Sequence, residues 1–166
     1  MKLYLIRHAK AEQVEIGVKD KDRQLSTKGM QQATMVGAHL NEMGVKPSMI
    51  ITSPALRTQT TSEIIASRLS YDVNKIHTNE ELYLASVRIF LQIINQLKDE
   101  WESVIVIGHN PSITYLAEYV ADAEIGSMET GSVAEVEFDL KSWSMVSQLI
   151  GDFKQYITPS MLGHNG

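Results

Sequence analysis

The sequence predicts an α/β fold: a three-layer α/β/α sandwich with a mostly parallel central sheet and an antiparallel edge hairpin near the C-terminus. Three observations lead there. Short, almost wholly apolar runs at residues 3–6, 48–52 and 103–107 have the character of strands buried on both faces. Segments with helical spacing, at 27–43, 55–69 and 86–98, lie between or after them, and another follows at 112–121. From residue 132 the pattern changes to alternation, with Val136 and Phe138 facing one way and Glu135 and Glu137 the other.

Each element has a local cause. The opening strand, LYLI, runs into Arg7-His8, and residues 10–24, with the stretch EQVEIGVKDKDRQ, are polar and charged and read as a long loop. Ser26 is a suitable N-cap, apolar residues follow at Met30, Ala33, Val36 and Leu40, and Gly44 stops the helix. The second strand, SMIIT, ends at Ser53-Pro54, and Pro54 suits the first turn of the next helix. Residues 72–78 have room for a short strand. SVIVI is the most β-branched run and should be a central strand; it ends in Gly108-His109-Asn110-Pro111. A turn at 139–142 and a return strand over 143–150 complete the expected hairpin. The chain is therefore expected to be a single domain over residues 1–154 with a C-terminal tail over 155–166.

Composition narrows the function. With 166 residues the chain has the length to bury a substantial core. A formal charge of −5 argues against nucleic acid and anionic membrane as partners, although it does not describe any one pocket. The absence of cysteine removes disulfides and thiolate chemistry and fits a reducing compartment; with no signal-like or membrane-spanning run, the expected location is cytoplasmic.

In open α/β sheets ligands bind beyond the carboxyl ends of the strands. Arg7 and His8 follow the first strand, Ser53 and Arg57 the second, and His109 the strand at 103–107. Two guanidinium forks match phosphate oxygens and stay charged at any working pH. The helix starts at Pro54 and Pro111 add unpaired N–H groups. One imidazole, neutral, has a lone pair able to attack phosphorus, while the other, as imidazolium, is a further donor.

The stretches LIRHAKAE, RQLSTKGMQQA, ITSPALRTQTT and VIVIGHNPSI resemble, in order and spacing, the histidine phosphatase superfamily with its phosphoglycerate-mutase-like fold. The short chain, RHAKAE, LYLAS and GHNP are most similar to its SixA-type phosphohistidine phosphatase branch. The resemblance implies that His8 is the nucleophile that becomes phosphorylated, and that Arg7, Arg57 and His109 complete the phosphate pocket. Arg23 falls on a pocket-edge arginine of compact members, and Ser53 and Asn110 take supporting positions. Many relatives place a glutamate general acid in a longer insertion; here that region is only HTNEELYLAS. Glu81 is the better positional match for a general acid and Glu80 its neighbour.

The implied reaction needs no cofactor and no metal. Its substrate is a phosphorylated protein bearing phosphohistidine, since an imidazole leaving group depends less on an acid than an alkoxide does. Two alternatives stay open: a phosphatase of small phosphorylated metabolites, and a phosphate-dependent binding module without turnover. Other features have plainer readings: the Asp20–Asp22 run as a solvated loop, Arg23 as a surface residue paired to Asp20 or Asp22, and His39 and His77 as structural.

Overall fold

The computed structural model describes residues 1–163. Six strands form one sheet: β1 (Lys2–Arg7), β2 (Met49–Thr52), β3 (His77–Thr78), β4 (Ser103–Gly108), β5 (Val133–Glu137) and β6 (Asp152–Ile157). Their spatial order is β3-β2-β4-β1-β5-β6. The first four are parallel; β5 and β6 are antiparallel to their neighbours. Five helices accompany them: α1 (Thr27–Glu42), α2 (Leu56–Arg68), α3 (Val87–Asn95), α4 (Ser112–Val120) and α5 (Pro159–Gly163). The three-layer sandwich and its antiparallel edge hairpin are as expected from the sequence.

Alternation along the strands divides the core in two. Leu3, Leu5, Val104 and Val106 face α3 and α4, where Phe90, Ile94, Ile113 and Leu116 cover them. Tyr4, Ile6, Ile105 and Ile107 face the opposite layer, against Val36 and Leu40 of α1 and Ile65 of α2. Burial on both faces explains why these strands read as continuous apolar runs.

Ser26 caps α1, its Oγ accepting from Gly29 N–H at 3.0 Å. The Ser26 hydroxyl in turn donates to the Lys10 carbonyl, which also accepts from Ser26 N–H at 2.9 Å. Lys10 N–H donates to Gln32 Oε1 at 2.9 Å. The start of α1 therefore grips the chain just after His8, so closely that a Cβ on Gly29 would overlap the Lys10 carbonyl.

The C-terminal quarter departs from expectation. The partner of β5 is β6, not residues 143–150, and the pair carries a bulge between Glu135 and Val136. Trp143–Met145 is a single 3₁₀ turn in which Trp143 is fully buried. Its indole N–H donates to the Trp101 carbonyl at 2.8 Å, and Asn95 Nδ2 donates to the carbonyls of Trp143 and Val146. Burying a large aromatic ring against α3 outweighs the strand-like composition of that stretch. The boundary expected at residue 154 consequently cuts β6, and the expected tail up to residue 163 is the end of β6 followed by α5, which packs on α1. Residues 164–166, with His164, lie outside the described residues. Expected elements at 72–78 and 86–98 are shorter, as β3 and α3. No helix among the described residues is long and apolar enough to cross a membrane.

Candidate active site

The carboxyl ends of β1, β2 and β4 converge. His8 N–H donates to the Gly108 carbonyl at 3.1 Å, and the carbonyls of Arg7 and His8 both accept from Gly131 N–H, at 3.1 and 3.0 Å. Gly131 has φ +75°, a conformation that only glycine adopts without strain, so the turn before β5 can close on the nucleophile strand. His8 and His109 stand side by side, with ring centroids 5.3 Å apart and planes tilted by 57°.

Each expected pocket residue has a definite anchor. His8 Nδ1 lies 2.7 Å from the Ala9 carbonyl; a carbonyl only accepts, so Nδ1 carries the proton and Nε2 presents its lone pair. Arg7 Nη1 donates to the Met128 carbonyl at 2.7 Å. Asn110 Nδ2 donates to that same carbonyl at 3.2 Å and to Ser127 Oγ at 3.1 Å, while Asn110 Oδ1 accepts from Thr114 at 2.6 Å. Asn110 thus fixes the loop that fixes Arg7. Ser53 Oγ is 2.7 Å from His109 Nε2, and Arg57 Nη2 lies 3.4 Å from His109 Nδ1. The neutral tautomer that satisfies both has Nε2–H donating to Ser53 and Nδ1 accepting from Arg57. The Nε atoms of Arg7 and Arg57 are buried without a hydrogen-bond partner. Two orphaned cationic N–H groups, on arginines whose charges act on both imidazoles, suit a tetrahedral oxyanion.

Arg57, with a side chain only 7% exposed, is held by Asp20. Its Nη1 donates to the Asp20 main-chain carbonyl at 2.7 Å and its Nη2 to Asp20 Oδ2 at 3.1 Å. Arg23 Nη1 donates to Asp20 Oδ1 at 3.2 Å, and its Nε and Nη2 grip the Glu12 carbonyl at 3.1 and 2.8 Å. Tyr83 donates its hydroxyl to Asp20 Oδ2 at 2.7 Å and sets its ring edge-on to His109, centroids 5.7 Å apart. Arg23 therefore has the acidic partner that one reading of the sequence gave it. It pairs with Asp20, and it stands near enough to His8 for its charge to act there.

Burial is the main cause that lowers both imidazoles. His8 is lowered to about 4, despite its bond to Ala9, with the charges of Arg57, Arg7 and Arg23 assisting. His109 is lowered to about 3, with His8 and then Arg57 assisting. Both rings are neutral at pH 7 in this arrangement, so the expected imidazolium at His109 is not part of it; a phosphoryl dianion alongside would reverse the sign of the field there. The Tyr83 hydrogen bond, followed by those of Arg23 and Arg57, holds the Asp20 carboxyl at about 2.

The glutamates lie elsewhere. Glu81 is exposed and lines a groove of about 250 Å³ with Met49, His77, Ile93 and Trp101, between β2 and α3. Glu80 pairs with Lys21 at 3.3 Å on the rim. Neither contacts the imidazoles or arginines. Asp20 and Tyr83 are the site residues that the sequence reading passed over; the one available signal was the placement of Asp20 three residues before Arg23. Among the described residues no group of three or more His, Asp or Glu could hold a metal ion.

A family model, histidine phosphatase superfamily (branch 1), matches residues 3–84. Among curated proteins, an uncharacterised protein of Picosynechococcus is 28% identical over 76% of each chain. The mitochondrial serine/threonine-protein phosphatase Pgam5 of Drosophila mojavensis is 35% identical over 45% of this chain, which spans only 25% of that protein's length. Among solved structures, the protein histidine phosphatase SixA complexed with tungstate superposes with a TM-score of 0.84 at 25% identity, covering 98% of this chain and 99% of the other. The putative phosphohistidine phosphatase SixA of Nakamurella multipartitia gives 0.80 at 24% identity, covering 95% of each. From the four motifs, the strand-end site and these likenesses together, the chain belongs to the histidine phosphatase superfamily, whose members transfer or hydrolyse phosphoryl groups through a histidine, and its fold is that of the SixA-like branch.

Proposed function

We propose that this protein is a phosphohistidine phosphatase acting on a phosphorylated protein, with His8 as the covalent nucleophile. The supporting observation is the pinned tautomer of His8, whose free Nε2 lone pair belongs to a ring on which the charges of Arg57 and Arg7 act, each of those arginines keeping a buried Nε–H without a partner. His8 attacks phosphorus in line, and the P–N bond to the substrate imidazole breaks with its electron pair going to that ring. Water then attacks phosphorylated His8; its oxygen bonds to phosphorus, its protons leave with the phosphate, and His8 returns as a neutral ring. The loose transition state spreads charge over three oxygens; in this reading the Arg7 and Arg57 guanidinium groups meet that charge, joined by His109 once the phosphoryl dianion favours its protonation.

The choice of phosphohistidine rests on the leaving group. An alkoxide needs an acid, and Glu80 and Glu81 both stand away from the imidazoles, whereas an imidazole carrying a proton on its distal nitrogen departs neutral. The lack of cysteine suits work in a reducing compartment such as the cytoplasm.

The test is a brief incubation with a peptide carrying labelled phosphohistidine, followed by acid or base quench. The expected result is an acid-labile, base-stable label on His8, absent in His8→Ala, with release of phosphate. A label elsewhere, or turnover that survives His8→Ala, would overturn the proposal.

A further inference from the structure

A carboxylate is out of place in a phosphate pocket, where it repels the ligand that the cations attract. Asp20 is nevertheless built into this one. Its Oδ2 accepts from Arg57 and Tyr83, its Oδ1 from Arg23, and its main-chain carbonyl takes the other outer nitrogen of Arg57. The arginine it holds is buried and keeps an unpartnered Nε. A carboxylate has about four acceptor positions, so one on Oδ1 stays open, and the side chain is 46% exposed at the mouth of the cleft. Its charge acts on His109, and Tyr83, which donates to it, sets its ring edge-on to His109, so the carboxylate lies close to the imidazole pair.

Resting on the phosphohistidine reading, we propose that Asp20 is a specificity-determining residue that receives the distal N–H of the substrate's imidazole and so selects phosphoramidate donors over phosphate esters. A phosphoimidazole protonated on its distal nitrogen is cationic on the ring and loses the ring as neutral imidazole. A carboxylate against that N–H stabilises the protonated donor through a charge-assisted hydrogen bond. It offers nothing to a phenolate or alkoxide leaving group, on which negative charge grows in the transition state.

The enzyme's own ring has the equivalent arrangement. His8 carries a proton on Nδ1, held by the Ala9 carbonyl, while Nε2 reacts. In the transfer the His8 Nε2 lone pair forms the new N–P bond, and the old N–P pair returns to the substrate ring. Each ring keeps its distal proton throughout. Donor and acceptor are chemically matched, so little proton movement is required.

The experiment compares parent and Asp20→Asn on two substrates, a phosphohistidine peptide and p-nitrophenyl phosphate. Asn keeps the size and one acceptor oxygen but loses the charge. The expected result is a fall of about tenfold or more in the ratio of kcat/KM for the peptide to kcat/KM for the aryl ester. Circular dichroism and the thermal midpoint of the variant serve as the control for folding. An equal loss on both substrates reduces Asp20 to a brace for Arg57 and overturns this inference alone. A parent that cleaves the ester but not the peptide overturns the phosphohistidine reading, and the role of Asp20 with it.

Discussion

The two sides of the cleft are built differently. On the sheet side, Arg7, His8 and His109 sit at strand ends; Arg7 and His8 are anchored by main chain, through the carbonyls of Gly108, Met128 and Ala9 and the N–H of Gly131, and His109 by the buried Ser53 hydroxyl at the end of β2. On the loop side, Arg57 depends on Asp20, which depends on Arg23 and Tyr83, and this loop closes on itself through the Glu12 carbonyl. The sheet side rests directly on the buried strands of the core, which set the positions of Arg7, His8 and His109. The loop side is a polar network near solvent, so its members are mutually dependent and chemically adjustable. On the reading proposed above, reaction class resides on one side and choice of substrate on the other.

The largest predicted effect probes the sheet side. His8→Ala is expected to lower kcat by about a thousandfold or more with the fold intact, because the covalent route is lost; circular dichroism alongside kcat checks this. Arg57 spans both sides, and Arg57→Lys keeps charge while losing the fork. A drop of about a hundredfold in kcat/KM is expected, since one ammonium cannot meet Asp20 and phosphate together. A near-normal rate would show that the loop side contributes charge and no geometry.

Asn110→Ala is expected to cost about tenfold in kcat, by loosening the Met128 carbonyl and hence Arg7. As Asn110 acts through another residue, KM for an aryl phosphate and the pH profile should move less than kcat. Gly29→Ala forces a Cβ into the Lys10 carbonyl; a loss of about 1–3 kcal/mol in urea unfolding is expected.

The smallest effect is on pH-dependent stability. His8 and His109 are lowered to about 4 and about 3, so between these values and an unfolded-state value near 6.5 the unfolded chain binds more protons. Stability that is full above pH 6.5 is lost as pH falls through this window. Asp20, lowered to about 2, adds a smaller loss below pH 4 that exposure weakens. Thermal midpoints across pH 3–7 should fall on the acid side, and less steeply in His109→Ala.

The same division decided what the sequence disclosed. Arg7, His8, Arg57 and His109 were legible because apolar runs mark where strands end, and strand ends in a parallel sheet share one edge. Asp20 was read as solvated because its partners Arg57 and Tyr83 lie 37 and 63 positions away and only the closed loop brings them together. Glu81 matched by position, but the short turn that carries it directs it to the far side of β2. The mistaken return strand at 143–150 has a similar origin: alternation marks a half-buried surface, and a 3₁₀ turn burying Trp143 presents the same composition.

The sheet's two borders constrain how another protein can approach. One is β3, only two residues long; the other is β6, bulged against its neighbour and bearing Asp152 and Lys154 along its length. Stubby, kinked or charged margins discourage strand addition, the route by which extended peptides dock and by which β proteins coalesce into aggregates. For the phosphoprotein substrate proposed above, such borders favour the presentation of a single side chain at the cleft over backbone zippering.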